Sequence, residues 1–183
     1  MKQFISKFLF FILGWKIVGP TFFPKRCVII SAPHTSNWDF FYGRCYTYII
    51  KLKGSYLMKS ELFRPLIGWF FRLNGGVPVY RNTSTNFVDQ IVQIFAERED
   101  LVLGIAPEGT RSRVKKWKTG FYYIAKSAKV PLVLVAMDYK NKTIGVVKTM
   151  DLTNNIDHDL SIIEEVFRNV SGRIPENYNP KIF

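Results

Sequence analysis

His34 and Asp39, five residues apart in SAPHTSNWDF, are the residues of this chain best suited to general acid–base chemistry. An imidazole can take a proton from a hydroxyl near neutral pH. A carboxylate on one ring nitrogen fixes the tautomer that leaves the other nitrogen free. The same stretch also suits a plain helix start, because Ser36 and Asp39 make a capping-box-like S-x-x-D. A cap fixes geometry, so the two readings are compatible, and the residues alone leave both open. His158, in NNIDHDLS, stands beside two aspartates at a helix start and suits a capping or surface role. Ser36 lacks the G-x-S-x-G setting of a nucleophile.

A second group of residues suits anions. In APEGTRSRVKKWKTG, Glu108, Gly109 and Thr110 follow an apolar run, and Arg111, Arg113, Lys115, Lys116 and Lys118 come next. Glycine lets backbone approach a ligand closely, and N–H groups at a turn or helix start favour negative charge. A basic run is also what an ordinary solvated face looks like, and its place at a strand exit favours the anion site. The spacing is not that of a Walker loop. Arg81 after GGVPVY and Lys59 after SYLM are further cations behind apolar runs, each unremarkable alone. Cys27 and Cys45 have no metal-ligand spacing and read as free thiols, which suits a reducing compartment.

Alternating strands and helices must position these groups. Apolar runs at CVIIS, SYLM, VPVY, LVLGIA, PLVLVAM and TIGVVKT predict strands, the last two joined as a hairpin through DYKNK. Helical spacing predicts helices near 38–52, 64–73, 85–98, 120–128 and 160–170, then a polar tail. This order predicts a single α/β domain, a mostly parallel sheet flanked by helices. In such sheets the loops leaving the carboxyl ends of strands gather on one edge. His34, Lys59, Arg81 and the PEGTRSR loop all leave strands there, and that convergence is the argument for a site.

The 183 residues suit one domain, and 48% apolar with 22% charged composition is globular. A net charge of +12 predicts an anionic partner: nucleic acid, an anionic membrane face or a phosphorylated substrate. A nucleic-acid module would interleave exposed aromatics with basic residues on a sheet face, whereas the aromatics here crowd apolar helices and the N-terminus. A phosphoester hydrolase on the same basic edge would want a metal-ligand cluster, and two distant histidines supply none. The N-terminal MKQFISKFLFFILGWKIVGPTFFPKR is too short in apolar length to span a bilayer. Its Lys2, Gln3, Ser6 and Lys7 share one side, so an interfacial helix ending before Gly19-Pro20 is expected; packing on its own domain is the competing reading. Residues 1–24 are thus expected to be a membrane-associating segment and 25–183 the catalytic domain.

Four blocks carry a resemblance. PHTSNWD resembles the H-x-x-x-x-D block of the glycerolipid (lysophosphatidic acid) acyltransferases, GGVPVYR their second block, PEGTRS their third and KVPLVLVA their fourth. Order and spacing agree from about Val28 to Ala136. The resemblance implies a glycerolipid acyltransferase-like fold and transfer of an acyl group from acyl-CoA or acyl carrier protein to the hydroxyl of a lysophospholipid. The implied acceptor is 1-acylglycerol-3-phosphate, in phospholipid biosynthesis; a lyso-lipid other than lysophosphatidate is the alternative. It also implies no metal or organic cofactor, while the placement of the aromatics argues for no nucleic acid and the N-terminal segment with the free thiols predicts a peripheral place on the cytoplasmic face of the membrane. His34 would be the general base and Asp39 its partner. Arg81 and Arg111 would bind phosphate, Glu108 and Gly109 would shape the acceptor site, and Thr110 and Lys59 would contribute to substrate binding.

Overall fold

The computed structural model describes residues 1–65, 67–80 and 86–182. A seven-stranded sheet runs in the order β1-β7-β6-β2-β5-β3-β4. Its parallel heart is β2 (Arg26–Ala32), β3 (Gly54–Lys59), β4 (Gly76–Val79), β5 (Leu101–Ile105) and β6 (Leu132–Asp138), while β7 (Thr143–Met150) returns antiparallel to β6. The expected α/β fold is therefore present, with the β6–β7 hairpin where DYKNK placed it. Register β2–β5 and β2–β6 puts His34 beside the exits of both neighbours.

Two apolar cores explain why the central strands are nearly continuous in apolar residues: both faces of the sheet are covered. Val28, Ile30 and Ala32 point into one core with α4 (Phe87–Glu97), α5 (Gly120–Ala128) and α6 (Ile156–Phe167). Cys27 and Ile29 point into the other, with α1 (Lys2–Leu13) and α2 (Asn37–Ile49). The short α3 (Gly68–Leu73) makes the β3-to-β4 crossover in the same sense as α2 makes β2-to-β3, which places it on the α1–α2 face. Cys27 and Cys45 are buried free thiols, and burial pushes the Cys27 thiol up to about 12.

Two elements depart from the expectations, a short strand behind the first helix and the start of the last helix. The first helix ends at Leu13, where Gly14 closes it in the left-handed conformation, well before Gly19-Pro20. Behind it Lys16–Val18 form β1, which pairs parallel with β7 and was not foreseen. Phe10, Trp15 and Phe23 lie in the second core, so residues 1–24 pack on the domain while Phe4, Phe8 and Phe11 face outward. The last helix starts at Ile156 instead of about 160, because the Asn155 side chain accepts the His158 N–H and caps it. His158 is thus an exposed first-turn residue.

Candidate active site

β2 ends at Ala32, and the chain turns through Pro33, His34 and Thr35 into α2. Ser36 caps that helix in a capping box with Asp39, as the S-x-x-D spacing predicts. The same carboxylate does more. Its Oδ2 accepts the Thr35 and Ser36 N–H groups, both at 2.7 Å, and lies 3.3 Å from His34 Nδ1. Cap and ring partner are one group: the carboxylate that closes the capping box also faces the imidazole.

Burial of Asp39 works against its charge, but the His34, Tyr139, Ser36 and Thr35 hydrogen bonds outweigh it and hold the carboxyl below its ordinary range. A charged Asp39 favours the tautomer with hydrogen on Nδ1, leaving Nε2 to accept a proton. The His34 side chain is 28% exposed, against 4% for Asp39, so solvent or substrate reaches the ring and not its partner.

Tyr139 was missed. It follows β6 and donates its hydroxyl to Asp39 Oδ1 at 2.6 Å, across 100 residues of chain. Burial and then the carboxylate push that phenol far up, so it stays a donor. Its ring meets Trp15 and Tyr42 edge-on, which ties the first helix's exit to the dyad. The strand-exit rule that selected His34 also covers a residue just after β6 and could have found it.

The PEGTRS loop leaves β5, beside β2. Glu108 is 3% exposed, and its Oε1 accepts the His34 N–H at 2.8 Å. Burial raises its pKa, offset in part by its own N–H and that of His34. Its other oxygen is buried without a hydrogen-bond partner among the described residues. Gly109 has φ of +67°, and the Lys118 side chain lies over it. Thr110 is exposed, and its Oγ1 accepts the Ser112 N–H. Arg111 donates to the Asn37 side chain and so reaches the start of α2. His34, Asp39, Glu108, Gly109 and Arg111 are thus brought together. Lys59 ends β3 on the same edge, exposed, with β5 between β3 and β2; no hydrogen bond or ion pair joins it to the dyad among the described residues. Arg81 lies outside the described residues.

The polar tail is a strap across both loops. The Ile174 N–H donates to Thr35 Oγ1 at 3.2 Å, and Asn179 Nδ2 donates to the Val114 and Lys115 carbonyls. The buried Trp117 donates its indole N–H to the Asn179 carbonyl at 2.8 Å, pinning the basic run from beneath. Arg173 stacks on Trp38, 5.2 Å from its centroid, adding a cation beside α2 that no motif announced.

The chain also matches known proteins. It is 28% identical over 133 residues to the 1-acyl-sn-glycerol-3-phosphate acyltransferase of Saccharomyces cerevisiae, covering 68% of this chain and 43% of that protein. The chain therefore spans less than half the length of that relative. The crystal structure of the 1-acyl-sn-glycerophosphate (LPA) acyltransferase PlsC from Thermotoga maritima superposes with a TM-score of 0.63 at 19% identity. It covers 90% of this chain and 74% of that one, a likeness of fold. The Acyltransferase family model matches residues 15–138, a span that contains the dyad, the PEGTRS loop and every parallel strand of the heart. On that match the chain belongs to the acyltransferase family.

Proposed function

We propose that the chain transfers a fatty acyl group from a thioester, acyl-CoA or acyl carrier protein, to the hydroxyl of a lysophospholipid, 1-acylglycerol-3-phosphate before others. The carrying observation is the His34–Asp39 pair at 3.3 Å with its outer ring edge open. His34 Nε2 takes the proton of the acceptor hydroxyl as the hydroxyl oxygen bonds to the acyl carbon. The carbon–sulfur bond breaks, and the proton passes to the leaving thiolate. A thioester is already activated, so a positioned base and a held acceptor account for the catalysis without a covalent acyl-enzyme. The scheme needs no metal or organic cofactor.

Arg111 with Arg81 would hold the acceptor phosphate, and the basic run from Arg113 to Lys118 would meet phosphates of the donor. The names of the yeast and Thermotoga relatives support the acceptor class. Among the described residues no helix is long and apolar enough to cross a membrane. The outward aromatics of α1 support a peripheral place on the bilayer, and the two unpaired thiols support its cytoplasmic face.

The test offers purified enzyme a panel of lyso-acceptors, lysophosphatidate and lysolipids with other headgroups, with acyl-CoA or acyl carrier protein, and measures released thiol. Lysophosphatidate is expected to be the best acceptor, and His34→Ala to lose about 10²–10⁴-fold in turnover. Near-normal thiol release by that variant would overturn the base assignment. Preference for another headgroup would move the acceptor and leave the chemistry standing.

A further inference from the structure

A cavity of about 510 Å³ lies at the other end of the molecule from the dyad. It is bounded by the start of α1, the end of α2, the strand entry at Gly54 and the turn from α3 into β4. Since β2 to β6 run parallel, the start of β3 marks the edge opposite His34. Four cations line it: Lys2, Arg44, Lys51 and Lys53, with no carboxylate among the lining residues. Arg44 is held in place, donating to the Tyr48 hydroxyl at 3.1 Å with its guanidinium over the Tyr48 ring. Lys2 shares that ring from 5.3 Å. Among the described residues none of the four has a carboxylate within ion-pair distance. The α2 carboxyl end faces this cavity, but its partial charge of about −0.5 is small against four full positive charges.

The face around the cavity is apolar in a way the opposite face is not. On α1, Phe4, Phe8 and Phe11 are 56–84% exposed, and on α3, Trp69, Phe70 and Leu73 are 51–76% exposed. Neither α1 nor α3 contains an acidic residue, and the one on α2, Asp39, is buried. The helices of the other face carry exposed Asp89, Glu97, Asp157 and Glu165. Aromatic side chains beside unneutralised cations suit one partner chemistry, the boundary between anionic headgroups and acyl chains. Water-exposed aromatic area of this extent on two helices would otherwise go unburied.

We infer that the whole α1–α2–α3 face lies on the bilayer, with α3 as a second insertion element, and that the Lys2–Arg44–Lys51–Lys53 cavity takes the phosphate of an anionic phospholipid. Both α1 and α2 run the length of the sheet, so a bilayer on this face reaches Trp38 and the catalytic edge. The inference rests on the lipid-substrate reading only for its choice of a bilayer. Its test reads binding without turnover, so either can fail alone.

The probes are phosphatidylcholine vesicles and equimolar phosphatidylcholine–phosphatidylglycerol vesicles, with sedimentation of the full chain. Lys51→Gln with Lys53→Gln should lower partition onto the anionic vesicles roughly 30-fold, about fivefold per lysine, and leave the zwitterionic vesicles unchanged. Trp69→Ser with Phe70→Ser should lower partition onto both kinds, at least about tenfold. Arg98→Gln with Lys126→Gln removes the same charge from the opposite face and should change little. Equal losses from the two charge pairs would mean net charge alone drives binding, and would overturn the oriented face. Unchanged binding in the α3 pair would overturn the second insertion element. Calorimetric titration with glycerol phosphate distinguishes the remaining source. Binding that is lost in the Lys51–Lys53 pair, with vesicle partition unaffected, would make the cavity a site for a free phosphate ester and overturn the lipid assignment.

Discussion

Asp39 accepts from His34, Thr35, Ser36 and Tyr139 at once, and that concentration makes the single residue informative. Tyr139→Phe removes one donor from the carboxylate and leaves its rings' packing. Turnover should fall about tenfold, the size of one lost charge-assisted contact, with the acceptor KM unchanged. A merely structural tyrosine would lower the yield of folded protein and leave the turnover of the folded fraction in place. Asp39 also makes a pH prediction for stability. Its folded pKa lies below the unfolded value, so its contribution is full above about pH 4 and is lost as pH falls through the folded value. Glu108, raised by burial, works in the opposite direction, so the wild type alone would not isolate the effect. Denaturant unfolding of wild type and Asp39→Asn at descending pH should show a gap that is widest near neutrality and narrows below about pH 4.

At the scale of elements, the first helix is held by a strand as well as by its own face. β1 lies against β7 through Val18 and Gly145, and an added Cβ at Gly145 would run into the Val18 carbonyl oxygen. Gly145→Ala should therefore displace β1, at about 2 kcal/mol or more. Hydrogen exchange should show loss of protection in residues 16–18 and 143–145 before the rest of the sheet. Because Trp15 stacks on Tyr42 and meets Tyr139, loosening β1 should also slow turnover. The C-terminal strap has the complementary role, tying Thr35 to the basic run through Ile174 and Asn179.

For the whole molecule, a charge of +12 is divided unevenly between two faces. Carboxylates collect on the α4–α6 side, and the α1–α3 side is left cationic and apolar. Binding to anionic vesicles should weaken as salt rises from about 0.01 to 0.15 M, where the Debye length falls from about 30 to 8 Å. A residue should persist at high salt, because aromatic burial is not screened. Sedimentation across a salt series separates the two parts; complete release at high salt would leave no apolar insertion.

Much of the site was readable because its parts are local. His34, Ser36 and Asp39 lie within one turn of chain, so spacing alone raises a capping box and an oriented imidazole together, and the structure shows one carboxylate in both contacts. The strand-exit rule placed PEGTRS beside them because alternating strands and helices leave few topologies. Other features have partners set by the sheet. Tyr139 reaches Asp39 across 100 positions, and only the neighbouring of β6 and β2 in the sheet brings them together. Glu108 read as a residue of the acceptor site, yet its Oε1 is engaged with the His34 backbone, a contact set by the β2–β5 register. The strand at Lys16–Val18 is three residues long, too short for any periodicity, and exists because β7 offers it an edge. Sequence determined the chemistry of the loops, since local spacing decides caps and turns. Tertiary structure decided which loops meet and which apolar face stays open, since sheet order and burial depend on contacts distant along the chain.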